Sequence, residues 1–207
     1  MRINKRLLVA VLVVLLGPGV QGAEKSYLDN IPIFWRNLYP DGGTTLYCGE
    51  PFKPFDRRVN IEHVFPMSWA TRHLGCGNRD RCRRTSRLFN RIETDMHNLY
   101  PALRDINEAR GAQAFGIIDG ERHLRRGCDF EVDSGPRRVE PRPAVRGDIA
   151  RAMLYMEHRY GLPLYKRQRR LLEEWHRHDP PDAMEHRRNR LIEALQGQAN
   201  PFIEGNE

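Results

Sequence analysis

The stretch Asn60-Ile61-Glu62-His63-Val64-Phe65-Pro66 sets the strongest limit on how this 207-residue chain folds. It places a carboxylate and an imidazole side by side, with a proline three residues on. In an extended strand, neighbouring side chains point to opposite faces. Glu62 and His63 therefore serve one site only from a strand end or a bend, and Pro66 predicts that end. Val59 to Val64 accordingly reads as the strand that delivers them. A second polar block, Glu93-Thr94-Asp95-Met96-His97-Asn98, follows, and then Asn107; an arginine-dense run separates the two blocks. An acid, a base, an amide oxygen and many cations are the parts needed to cut a phosphodiester with a divalent metal.

The first 22 residues read as a secretory signal peptide. Arg2, Lys5 and Arg6 precede an apolar run from Leu7 to Leu16, which is too short to span a bilayer. Gly17-Pro18-Gly19 breaks the run, and small residues precede a cleavage site before Ala23. An uncleaved anchor is the competing reading. Residues 23–207 are then one domain, periplasmic or secreted, with no membrane segment and a monomer expected. Losing the leader's three cations lowers the formal charge from +7 to +4, so position matters more than total. Export makes an even number of cysteines read as disulfides. Cys76 and Cys82 suggest a small clamped loop, leaving Cys48 with Cys128. Sequence alone leaves three pairings open, and zinc is disfavoured because no Cys-x-x-Cys pair is present.

Along the chain, Asp29 to Tyr39 reads as an aromatic-rich helix ended by Pro40-Asp41-Gly42-Gly43. Thr44 to Cys48 reads as a strand and Pro51 to Pro54 as loop. Gly75 to Arg84 is expected to be an irregular cationic loop. Ser86 to Met96 has helical spacing at Leu88, Phe89, Ile92 and Met96. Pro101 suits the first turn of a helix with Leu103, Asn107 and Arg110 on one face, stopped by Gly111. Pro136 to Pro143 reads as a proline-arginine linker. Helices are expected over 144–160, 166–177 and 183–196. No internal repeat is present.

Glu-His-Val-Phe-Pro, then His-Asn-Leu-Tyr-Pro, then Asn107 and Arg110 resemble the ordered blocks of the ββα-metal (His-Asn-His type) nucleases. The chain resembles more closely the bacterial endonuclease I family of exported, nonspecific nucleases. That resemblance extends through Asp95-Met96-His97-Asn98-Leu99, Gly147-Asp148-Ile149-Ala150-Arg151 and Gln196-Gly197. It implies an α+β fold, a single helix-rich domain built around a ββα-metal motif, acting on DNA and also RNA. It implies Glu62 as metal-binding carboxylate, His63 as general base and Asn107 as the amide completing the protein's metal ligation. Glu93 matches a supporting active-site acid, and Arg79 an arginine that contacts the phosphate. The chain departs from the pattern at Ile61, where tryptophan is expected, and at Glu108-Ala109, where glycine-aspartate is expected.

The chemistry of these groups is consistent with that mapping. One carboxylate and one amide oxygen suit a hard cation: Mg²⁺, with Ca²⁺ or Mn²⁺ also able to occupy the site. An imidazole takes the proton from attacking water. Arg81, Arg83, Arg84 and Arg87, with Arg72, Arg79 and Arg91, form the candidate phosphate-tracking surface, against the plain alternative of a solvated face. Asn98 is expected to brace backbone rather than bind metal. The rival function is a noncatalytic exported nucleic-acid-binding protein, which retention of Glu62, His63 and Asn107 together disfavours.

Overall fold

The computed structural model describes residues 26–120 and 122–204; the expected signal peptide, residues 1–22, lies outside them. The described residues are α+β, with small sheets set among eight α-helices. Helix α1 (Tyr27–Leu38) opens with a capping box. Ser26 Oγ accepts from the Asp29 N–H, and the Asp29 carboxylate accepts from the Ser26 N–H at 3.1 Å, which satisfies two donors the helix leaves open. It buries Phe34 and Asn30, the latter donating to the Thr94 carbonyl at 2.8 Å.

Strands β1 (Gly43–Thr44) and β2 (Pro51–Phe52) form a two-residue antiparallel pair. The strand expected over Thr44 to Cys48 is thus limited to Thr44, and part of the expected Pro51–Pro54 loop is β2. Residues 46–48 turn instead. The Thr45 N–H donates to the Glu50 carbonyl, and Gly49 takes the left-handed conformation that closes the turn. Local β propensity loses here to a closed backbone hydrogen-bond circuit and to the Cys48–Cys128 disulfide.

Strand β3 (Val59–His63) pairs antiparallel with β4 (Leu99–Leu103), from Val59 opposite Leu103 to His63 opposite Leu99. Between them lie α2 (Met67–Leu74), α3 (Arg79–Thr85) and α4 (Arg87–Thr94). The expected irregular loop over 75–84 is a correction: only 75–78 is loop. Asn78 caps α3 by accepting from the Arg81 N–H at 2.9 Å, and Ser86 caps α4 through the Phe89 N–H at 3.1 Å. The Cys76–Cys82 disulfide ties the loop after α2 to α3.

Pro101 lies inside β4, not in a helix. Its carbonyl accepts from the Leu46 N–H at 2.8 Å, so its backbone edge faces away from β3 and the missing N–H breaks no rung of the β3–β4 ladder. Leu103 ends that strand, and α5 (Arg104–Arg110) follows directly. Asn98 braces the crossing: its Oδ1 accepts from the Phe65 N–H at 2.6 Å and its Nδ2 donates to the Phe65 carbonyl at 3.1 Å.

A four-stranded sheet follows in the order β5 (Ala114–Phe115), β8 (Arg138–Pro141), β7 (Cys128–Asp133) and β6 (His123–Arg125). The middle of the expected Pro136–Pro143 linker, Arg138–Pro141, is therefore strand, with Pro136 and Arg137 in the turn before it and Pro143 opening a short 3-10 helix after it. Val139 is fully buried between β5 and β7, and Pro141 sits at the strand end opposite Phe130. Helices α6 (Arg146–Tyr160), α7 (Lys166–His178) and α8 (Ala183–Gln196) close the domain. Ile149, Met153 and Met156 of α6 face the core as their spacing predicts. Gly147 lets α6 approach the residues after α7: a Cβ there would lie 2.1 Å from the Asp179 carbonyl oxygen. Buried Arg151 answers buried Glu185, its Nε donating to Oε1 at 2.7 Å. Among the described residues no helix is long and apolar enough to cross a membrane.

Candidate active site

Strand β3 ends at His63 and the chain bends at Val64 and Phe65, so Glu62 and His63 line one cavity of about 800 Å³ despite being neighbours. Asn107 from α5 and Arg79 at the start of α3 line the same cavity, with Arg72, Asn78 and Asn60. Four of the residues singled out from the sequence are thus brought together.

Glu62 is 3% exposed. Its Oε1 accepts from the Tyr47 hydroxyl at 2.6 Å and lies 3.4 Å from Arg110 Nε. Burial pushes the Glu62 carboxyl above its ordinary value, and Arg110 and Tyr47 pull it back without cancelling the effect. Arg110 is itself 1% exposed. Its Nη groups donate to the main-chain oxygens of His63, Val64 and Gly111, while its buried Nε makes no hydrogen bond. Neither Tyr47 nor Arg110 was assigned a role from sequence. Arg110 had a signal, being three residues beyond Asn107 on the same helix; Tyr47 had none, because the turn that aims it forms only in the fold.

His63 Nε2 lies 3.0 Å from the Glu93 main-chain carbonyl. A carbonyl accepts only, so Nε2 carries the proton and Nδ1 keeps its lone pair. Burial and the Arg79 guanidinium hold the imidazole down to about 4, leaving it neutral at ordinary pH. The Tyr27 ring stands 5.2 Å from the His63 ring, and the Arg79 and Arg83 guanidiniums lie over its face.

Glu93 is wholly buried and acts as a clamp. Arg79 Nε donates to Oε1 at 2.5 Å, and Arg83 donates from Nε to Oε2 and from Nη2 to Oε1, both at 2.8 Å. Burial raises the Glu93 carboxyl, but the two guanidiniums outweigh it and set it below its ordinary value. Arg83 is thereby drawn inward, whereas Arg81, Arg84 and Arg87 are exposed.

Asn107 Nδ2 donates to Asn60 Oδ1 at 2.9 Å and to the Ile61 carbonyl at 3.3 Å. That leaves Asn107 Oδ1 as an oxygen donor in the cavity that Glu62 also lines. One carboxylate and one amide oxygen, with no sulfur, fit a hard divalent cation. A different group of metal-capable side chains, His123, Asp129 and Glu131, brings its ligand atoms within 4.8 Å of one another, but none of the three lines this cavity.

The family model for Endonuclease I matches residues 36–207. The chain is similar to an extracellular deoxyribonuclease of Aeromonas hydrophila, 41% identical over 195 residues that cover 82% of this chain and 85% of that protein. A periplasmic deoxyribonuclease of the same organism is 41% identical over 182 residues, 84% of this chain and 75% of that one. An endonuclease-1 of Buchnera aphidicola subsp. Acyrthosiphon pisum is 29% identical over 191 residues, 88% of this chain and 75% of that protein.

Proposed function

Because this chain belongs to the endonuclease I family, we propose that it is an exported, nonspecific endonuclease that hydrolyses DNA with one divalent cation and His63 as general base. Residues 23–207 form its single nuclease domain, and it works as a monomer in the periplasm or outside the cell. The observation that carries the reading is the convergence of Glu62, His63, Asn107 and Arg79 on one cavity.

In this reading β3, β4 and α5 are the ββα-metal unit: β3 supplies the carboxylate and the base, and α5 supplies the amide. Glu62 and Asn107 hold the cation, Mg²⁺ by preference and Ca²⁺ or Mn²⁺ in its place. When bound, the cation supplies Lewis-acid stabilisation of charge on the phosphoryl and departing oxygens. His63, its proton fixed on Nε2 by the Glu93 carbonyl, accepts the proton of an attacking water at Nδ1. Water oxygen bonds to phosphorus as the bond to the ester oxygen on the far side breaks, and that oxygen takes its proton from solvent water while His63 later returns its own to solvent. Arg79, tethered at Nε by Glu93, presents its Nη groups to a phosphate oxygen. RNA is cut by the same chemistry, because the nucleophile is water and the 2′-hydroxyl is not needed. Arg81, Arg84 and Arg87 lead the strand in through phosphate contacts that carry no sequence information; Arg83 assists chiefly by sharing Glu93 with Arg79.

The test is incubation of the purified mature protein with plasmid and with RNA, in Mg²⁺ and in EDTA. Cleavage of both in Mg²⁺ and of neither in EDTA is expected; unchanged cleavage in EDTA refutes the metal-assisted reading.

A further inference from the structure

A second cavity, about 850 Å³, adjoins the catalytic one, and Asn60 and Ile61 line both. Its lining is aromatic and apolar, with Trp35, Tyr39 and Phe52 among its residues. Arg36, Lys53 and Arg104, all exposed, stand on its lining as cations. Asp56 is its acidic member, and that charge is engaged by Arg58 at 2.7 Å.

One residue of this groove has no place in the fold's own packing. Phe55 is 100% exposed. It sits in the turn Lys53-Pro54-Phe55-Asp56, closed by the Asp56 N–H donating to the Lys53 carbonyl at 3.2 Å. Proline at the second position and a positive φ at the third are the marks of a type II turn, whose third position calls for glycine. Here that position holds phenylalanine at φ 66°. A bulky side chain in the left-handed region is disfavoured, and a fully solvated phenyl gains nothing from burial to offset it. Backbone strain of this kind collects at ligand-binding sites.

We propose that this groove is a nucleobase-stacking subsite, taking unpaired bases that flank the scissile phosphate, with Phe55 as its outer stacking face. The inference rests on the nuclease reading above. Flat aromatic rings beside cations are what a single strand requires: each base offers a π-face, and each linkage a phosphate. Continuity with the catalytic cavity through Asn60 and Ile61 places those bases next to the phosphate being cut. A paired duplex keeps its bases stacked on one another and gains only the phosphate contacts. Unpaired stretches therefore bind more tightly than duplex, without their sequence being read, while duplex is still held and cut through its phosphates.

Phe55→Gly separates binding from folding, because glycine suits the turn better than phenylalanine and the variant's thermal stability holds or rises. Phe55→Trp keeps a stacking face. With Mg²⁺ and a single-stranded oligonucleotide, Phe55→Gly raises KM about tenfold, within the range for removal of one base stack, and changes kcat by less than about twofold. Phe55→Trp restores the wild-type KM. With abasic sites flanking the cut, wild type and Phe55→Gly converge to the same KM. Anisotropy of the labelled oligonucleotide in EDTA reads the subsite without cleavage: Kd rises about tenfold for Phe55→Gly, and its salt dependence is unchanged because every phosphate keeps its cationic partner. Equal KM and Kd for wild type and Phe55→Gly, in an enzyme that cleaves, overturn the subsite and leave the nuclease reading intact. Binding through Phe55 without cleavage overturns the nuclease reading and leaves the subsite intact. A Phe55→Gly variant that alters only self-association of the chain also overturns the subsite.

Discussion

Replacing Glu93 by glutamine keeps the side chain's size and removes its charge at the point where two arginines meet. Four hydrogen bonds weaken together: Arg79 Nε at 2.5 Å, Arg83 Nε shared between the two carboxylate oxygens at 2.8 and 3.1 Å, and Arg83 Nη2 at 2.8 Å. Stranding a buried ion costs about 3–5 kcal/mol. The Arg79 and Arg83 side chains are, however, 42% and 33% exposed, so the released guanidiniums reach water. The stability loss is then nearer that of charged hydrogen bonds, about 1.5–3 kcal/mol, read from the urea midpoint. Turnover falls further than this, because Arg79 loses the tether that aims it at the phosphate. A displacement of about 1 Å at a reacting group costs about 100-fold, and a kcat loss of about 10- to 100-fold with KM little changed is expected. His63 keeps its partner, which is the main-chain oxygen of residue 93. The pH dependence has a definite sign. The folded Glu93 carboxyl titrates below the unfolded value, so its stabilisation is present above about pH 4.5 and is lost as pH falls through the folded pKa. The stability gap between wild type and Glu93→Gln therefore narrows on acidification. A variant with wild-type kcat, or a gap that widens in acid, refutes the reasoning.

His63→Ala is expected to lose roughly 10²- to 10⁴-fold in kcat while retaining Mg²⁺ affinity by titration calorimetry, whereas Glu62→Ala loses both. Removing Arg81, Arg84 and Arg87 together should flatten the plot of log affinity against log salt, by about 0.9 for each phosphate no longer neutralised on duplex DNA, with kcat retained. Opening Cys48–Cys128 by serine substitution, a loop of 80 residues, should cost about 4 kcal/mol in denaturant titrations, against about 2 kcal/mol for Cys76–Cys82, a loop of 6. The second change should nevertheless reduce turnover more per unit of stability removed, because it frees the start of α3, where Arg79 sits.

The sequence by itself determined the elements whose signals are local. Hydrophobic spacing and end signals place α1, α4, α6, α7 and α8, and the Val59–Val64 stretch ahead of Pro66 places β3. The residue types at 62, 63 and 107 pointed to metal-assisted chemistry and the family resemblance pointed to Arg79; the fold brings all four to one cavity. Tertiary structure alone decided what depends on a partner. Pro101 and the prolines about β8 read as breakers, yet both segments are strands, because a proline disturbs a sheet only where its N–H is needed for a rung. The Arg79–Thr85 helix was masked by its charge density, although Asn78 had the chemistry of a cap. Tyr47 reaches Glu62 from a turn fifteen residues away. The Glu93 carbonyl selects the proton position on His63 across a separation of thirty. No local pattern encodes such pairings, since each exists only after both segments are buried against one core, where an unmet polar group would be costly.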